Sequence, residues 1–115
     1  MKSKVFFLLA CVVFYSVFLI ISEAQENVNP SKTVFLNKKC NTCHSITIEG
    51  ITLLKKGNAP DLSDIGTKVK ADFIKQFLKK EVKLNNKLHL IRFPGTDTEL
   101  DSLASWLVSL KPVQK

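Results

Sequence analysis

The apolar residues of this chain fall into one unbroken run followed by three short periodic clusters. The run, Val5 to Ile21, is relieved only by Ser16. Val34, Phe35 and Leu36 then crowd into about one turn while lysines and Asn37 take the other side. This predicts a short helix from Lys32 to Lys39 with Ser31 as its N-cap. Ile46 to Gly57 alternates irregularly around Gly50 and Gly57 and reads as loop, and Asn58-Ala59-Pro60-Asp61-Leu62 reads as a turn. Phe73, Ile74, Phe77 and Leu78 recur at helical spacing between Lys70 and Glu81, opposite a lysine-rich face. Leu84 to Pro94, with Asn85 and Asn86, reads as an extended loop. The last cluster is the clearest. Thr96-Asp97-Thr98-Glu99 is a capping box, Leu100, Leu103, Leu107 and Leu110 form a stripe, and Pro112 ends the helix after Lys111. No segment has the two-residue period of a strand, so the expected class is all-α.

The opening run lies behind Lys2 and Lys4 and is followed by Ser22-Glu23-Ala24, with small residues where a signal peptidase reads them. Residues 1–24 are therefore expected to be a signal peptide cleaved before Gln25. An uncleaved anchor is the alternative, although the run is slightly short of the roughly 20 apolar residues a spanning helix uses. Cys11 in Leu8-Leu9-Ala10-Cys11 loosely resembles an acylation site, but the apolar run continues well past it, so it reads as another leader residue. Gln25 to Pro30 looks like a lead-in, and residues 25–115 make one domain.

Without Lys2, Lys4 and Glu23, 15 of the 17 Lys and Arg and 9 of the 10 Asp and Glu remain, a polypeptide charge of +6. Lys38, Lys39, Lys68, Lys70, Lys75, Lys79, Lys80, Lys83 and Lys87 account for most of it. They could steer an acidic protein partner, or serve only as a solvated face. Nucleic acid is not an expected partner of an exported chain.

Chemistry concentrates in Cys40-Asn41-Thr42-Cys43-His44. Cys-x-x-Cys-His is the attachment signature of a c-type haem. Two thiols three positions apart can both reach the vinyl groups on one haem edge. The histidine after the second thiol then lies under the iron as proximal ligand. Zinc is one alternative, but a closed structural site needs four ligands and no second cysteine pair exists. A thioredoxin-like dithiol is another, but it needs a βαβ pattern that is not present. With Cys11 in the leader, Cys40 and Cys43 are the only cysteines of the mature part.

Taken in order, Cys40-Asn41-Thr42-Cys43-His44, Ala59-Pro60-Asp61-Leu62, Pro94-Gly95-Thr96-Asp97 and Leu103-Ala104-Ser105-Trp106-Leu107 resemble the class I cytochromes c of the small bacterial type. The resemblance covers nearly all of the mature part. It implies three main helices wrapped around one covalently bound haem c, with the first and last in contact through Phe35 or Leu36 against Trp106 and Leu103. It also implies that the Pro60 carbonyl accepts from the proximal imidazole of His44. The chain departs from the family at the sixth ligand, where a methionine is usual, because its one methionine is Met1. His89 stands in the corresponding loop beside Leu88, Leu90 and Ile91, which suit a haem-facing wall, and Leu88, Leu90 and Phe93 are the expected haem-contacting side chains. The expected axial pair is His44/His89. A packed or exposed His89 with an open distal site, or Lys83 or Lys87 on the iron, are the alternatives.

Two nitrogen ligands saturate the iron, which suits one-electron transfer and predicts a lower reduction potential than in methionine-ligated relatives. The expected function is an exported, extracytoplasmic (periplasmic or equivalent) electron carrier. It would act alone or as a subunit beside another cytochrome, and would touch the membrane only if the leader is retained. A gas- or ligand-responsive haem protein is the alternative. An enzyme such as a peroxidase would need distal acid–base groups, and no such pair is visible.

Overall fold

The computed structural model describes residues 2–20 and 28–112, with side chains throughout except at 17–20. Ser22, Glu23, Ala24 and Gln25, where cleavage is expected, lie outside the described residues. Five α-helices and no strands are present among the described residues, so the chain is all-α.

The leader run forms α1, Lys2–Ile20. Its apolar part from Val5 is about 24 Å long at the α-helical rise, against a hydrocarbon thickness of about 30 Å. No helix among the described residues is long and apolar enough to cross a membrane. The side chains of residues 2–16 are exposed.

Helix α2 spans Pro30–Asn37. It begins one residue before the expected cap: Asn29 accepts from the Ser31 amide, and Pro30 occupies the first turn, where its missing N–H costs nothing. Ser31 is instead buried, its hydroxyl 2.6 Å from that of Ser102. Helix α3, Ile65–Lys68, is a single turn, and α4 spans Ala71–Leu78. Helix α5, Asp97–Ser109, opens with the capping box intact: Glu99 N–H donates to Thr96 Oγ1, and Thr96 N–H donates to Glu99 Oε2. It stops at Ser109, two residues before Lys111, and Leu110 is already extended.

Helix α5 is the centre of the fold, since α2, α3 and α4 all pack on it. Its stripe, Leu100, Leu103, Leu107 and Leu110, is buried together with Ala104 and Trp106. Phe35 meets Trp106 edge-on, ring centroids 5.9 Å apart, and both Phe35 and Leu103 are 1% exposed. Leu36, the other candidate for this contact, is exposed. From α4, Ile74 enters the core, while Lys75–Asp101 at 3.1 Å and Lys79–Asp97 at 3.0 Å pin its flank to α5.

The segment read as loop from Ile46 to Gly57 contributes core. Ile46 and Ile51 exchange backbone hydrogen bonds of 2.9 and 3.1 Å around a 3₁₀ turn at Thr47–Glu49, and both side chains are buried. A one-residue bridge over a tight turn has no detectable periodicity, which is why the pattern missed it. Helix α3 comes within backbone contact of the end of α5. Gly66 donates to the Leu110 carbonyl at 3.0 Å, and a Cβ at Gly66 would fall 2.0 Å from Val108 O.

Candidate functional site

Helix α2 runs straight into the cysteine motif. Lys38 caps it, Lys39 takes the left-handed conformation at φ 60°, and Cys40–Thr42 forms a 3₁₀ turn closed by Cys43. The His44 and Cys43 amides both donate to Cys40 O, at 3.0 and 3.2 Å, so thiols and imidazole share one compact turn. Leu54 N–H to Asn41 O and Lys55 N–H to Thr42 O tie that turn to the following loop. Cys40 and Cys43 are half-buried and unbonded. Burial pushes the Cys40 thiol up, against its backbone hydrogen bond. A reactive dithiol has a depressed thiol pKa instead.

His44 faces the 59–62 turn. Its Nδ1 lies 3.0 Å from Pro60 O, and because a carbonyl only accepts, Nδ1 must donate. The Nε2 lone pair is thereby left free on the neutral ring. Burial holds the imidazole below its ordinary value despite the opposing pull of the Pro60 carbonyl, and nearby His89 lowers it further. Asp61 locks this approach in place. Its carboxylate accepts from Ser45 Oγ at 2.6 Å, Thr47 N at 3.1 Å, Thr47 Oγ1 at 2.6 Å and Ser63 N at 2.8 Å. The Leu62 amide adds a bond to Ser45 O at 2.9 Å. The segments carrying His44 and Pro60 are thus stapled together on both sides of the imidazole contact.

His89 comes from the loop between α4 and α5. That loop starts with a tight turn, Leu84 and Lys87 bonding reciprocally across Asn85 and Asn86, both at positive φ, which asparagine tolerates. The loop is then fastened to the end of α4 by Phe93 N–H to Leu78 O at 2.9 Å. His89 is half-buried, and its Nδ1 donates to the Ile91 carbonyl, again freeing Nε2. The Phe77 and His89 rings meet in a T-shaped arrangement, centroids 5.3 Å apart.

The two imidazoles meet. Their centroids are 6.2 Å apart and their planes 13° from parallel. Two metal–nitrogen bonds of about 2.0–2.1 Å in line, with about 1.2 Å from each nitrogen to its ring centre, would separate two imidazoles on one metal ion by about 6.4–6.6 Å. The observed 6.2 Å is close to that spacing. Leu84, Leu88, Leu90 and Ile91 are exposed on the loop that carries His89, Leu90 most of all at 82%. Phe93 is half-buried and packs against the core. Thiols, parallel imidazoles and a greasy loop are the donor set and the surface that a covalent haem requires, so the residues fit that group. A closed zinc site would need four protein ligands, and no group of three or more His, Cys, Asp or Glu gathers at metal-holding distance among the described residues.

The lysines divide. Lys38 pairs with Glu99 at 3.0 Å, Lys68 with Asp64 at 2.8 Å, Lys75 with Asp72 and Asp101, and Lys79 with Asp97. Among the described residues Lys39, Lys70, Lys80, Lys83 and Lys87 have no acidic partner, and Lys80 reaches the Leu90 carbonyl at 3.4 Å. Roughly half the cationic face expected from sequence is neutralised within the fold.

Sequence reasoning missed three parts of the site: the Asp61 clamp, Phe77 beside His89, and the Ile91 carbonyl. Ser45 and Thr47 opposite Asp61 and Ser63 were the available signal for the first. No protein-family model matches the chain, and searches of curated proteins and of solved structures return no match.

Proposed function

We propose that this chain is an exported monohaem c-type cytochrome of the class I kind that carries single electrons. Cys40 and Cys43 would hold haem c through thioether bonds, with His44 and His89 as axial ligands. The observation that carries this reading is the pair of near-parallel imidazoles 6.2 Å apart, each with Nδ1 on a backbone carbonyl and Nε2 free.

Once bound, the haem supplies a reversible one-electron iron couple. The chain's own residues do the rest. The Pro60 and Ile91 carbonyls fix the tautomers and would orient both imidazoles as ligands, and two nitrogen ligands in place of a nitrogen and a thioether would lower the potential. Burial keeps His44 neutral, the form that can ligate. If His44 and His89 both hold the metal, small ligands would have to displace one of them to reach it, which suits an electron carrier better than an enzyme. Leu88, Leu90 and Ile91 supply apolar surface next to His89. Lys39, Lys80, Lys83 and Lys87, among the described lysines without an acidic partner, would meet an acidic redox partner, whether a separate protein or another cytochrome in a complex.

The test is production of the whole chain in an exporting host that attaches c-type haem, followed by intact mass and visible spectra. A mass above the polypeptide by one haem and a low-spin spectrum that turns high-spin in His89→Ala are the expected results. Colourless protein with the mass of bare polypeptide would end the proposal.

A further inference from the structure

We infer that Phe77 is a positioning residue that sets the plane of the His89 imidazole, an assignment that rests on the haem ligation proposed above. An axial imidazole keeps one soft freedom, rotation about its bond to the metal, and the protein must remove it. The Ile91 carbonyl cannot do so alone. It lies two residues from His89 on the same loop, so it fixes the ring to the loop and not to the rest of the molecule. Leu88, Leu90 and Ile91 lie on that same loop and are exposed.

Phe77 comes from a different and better anchored element. Its ring stands 73° to His89 with centroids 5.3 Å apart, and Phe73 backs it at 5.9 Å in a near-parallel stack. Beneath them, Ile74 is buried and two ion pairs hold α4 to α5. An aromatic edge against a ring face is a directional contact, favoured at this angle by the quadrupoles of the two rings. The plane that results lies 13° from that of His44. Outer contacts of this kind orient metal ligands and tune the metal they hold.

Parallel axial planes have an electronic consequence. Both ring π systems then act on the same iron d orbital, which splits the low-spin ferric orbitals strongly. Crossed planes leave them nearly degenerate. Electron paramagnetic resonance reads the difference directly on the haem-loaded, full-length protein. The unsubstituted protein is expected to give the three resolved g-values of a rhombic low-spin centre. Phe77→Leu removes the aromatic ring and should shift the spectrum towards a single dominant large-g feature, whereas Phe77→Tyr keeps the ring and should preserve the rhombic pattern. Far-UV circular dichroism accompanies each variant. If Phe77→Leu does not fold, Phe77→Met replaces it and is read by the same criteria. Unchanged g-values in a folded variant without the aromatic ring would overturn the role of Phe77 while leaving bis-imidazole ligation standing. Absence of a bis-imidazole signal in the unsubstituted protein would overturn both.

Discussion

Asp61→Asn is the substitution that most directly tests how the His44 approach is held. One carboxylate oxygen takes Ser45 Oγ, Thr47 N and Thr47 Oγ1, and the other takes Ser63 N. Asparagine keeps one acceptor and turns an NH₂ towards the remaining donor, so at least one bond is lost. The others fall from charge-assisted bonds of about 1.5–3 kcal/mol each to neutral ones of about 0.5–1.5 kcal/mol. The carboxylate is half-exposed, so water recovers part of this. After that discount the expected loss is about 2–3 kcal/mol, read by urea unfolding of the haem-loaded protein. Partial burial pushes the Asp61 carboxyl up, but the surrounding donors of Ser45, Ser63 and Thr47 outweigh it and hold it well below its ordinary value. A depressed folded-state pKa gives stability that is fully present above the unfolded value, about 3.9, and fades as pH falls towards the folded one. The gap between parent and variant should therefore be constant from about pH 7 to pH 5 and shrink below about pH 4. A gap under about 0.5 kcal/mol, or one that does not change in acid, would refute the clamp.

Gly66→Ala should cost about 2–4 kcal/mol. The new Cβ would meet backbone at Val108 and Leu110 and displace the Gly66 N–H to Leu110 O bond, and thermal unfolding measures the loss. Carbon monoxide should bind the reduced parent slowly and reduced His89→Ala rapidly and stoichiometrically; rapid binding to the parent would mean that His89 is not on the iron. Charge reversal at Lys83 and Lys87 should slow electron transfer to an acidic partner at low salt, with the difference vanishing near 1 M, where screening acts within about 3 Å. Rates independent of ionic strength would remove the steering role.

What was legible in sequence was whatever acts within a few neighbours. The Thr96 capping box, the leucine stripe of α5 and the three-residue cysteine spacing are local, and each stands in the structure where its pattern put it. Phe35 was picked out together with Leu36, and only the packing of α2 on α5 chose between them. Residues whose role depends on distant partners were not legible. Ser31 looks like a helix cap until Ser102, 71 positions away, claims its hydroxyl. Phe77 looks like another core residue of an amphipathic helix until the loop from Leu84 to Pro94 folds back over it. The lysines look uniformly free because the acids that neutralise Lys38 and Lys79 sit in the first turn of α5, far along the chain. α3 is one turn long, too short for any period to register.

The seam joining Phe35 to Trp106 and Ser31 to Ser102 makes completion of the molecule depend on its final helix. In the export proposed above, a polypeptide threaded from its amino end would present Cys40 and Cys43 before Trp106. During that interval α2 has no α5 to lie against, and the turn that carries the thiols is less covered. For the haem attachment proposed above, late arrival of α5 would act as a timer, leaving the turn at Cys40–Thr42 open first and covering it afterwards.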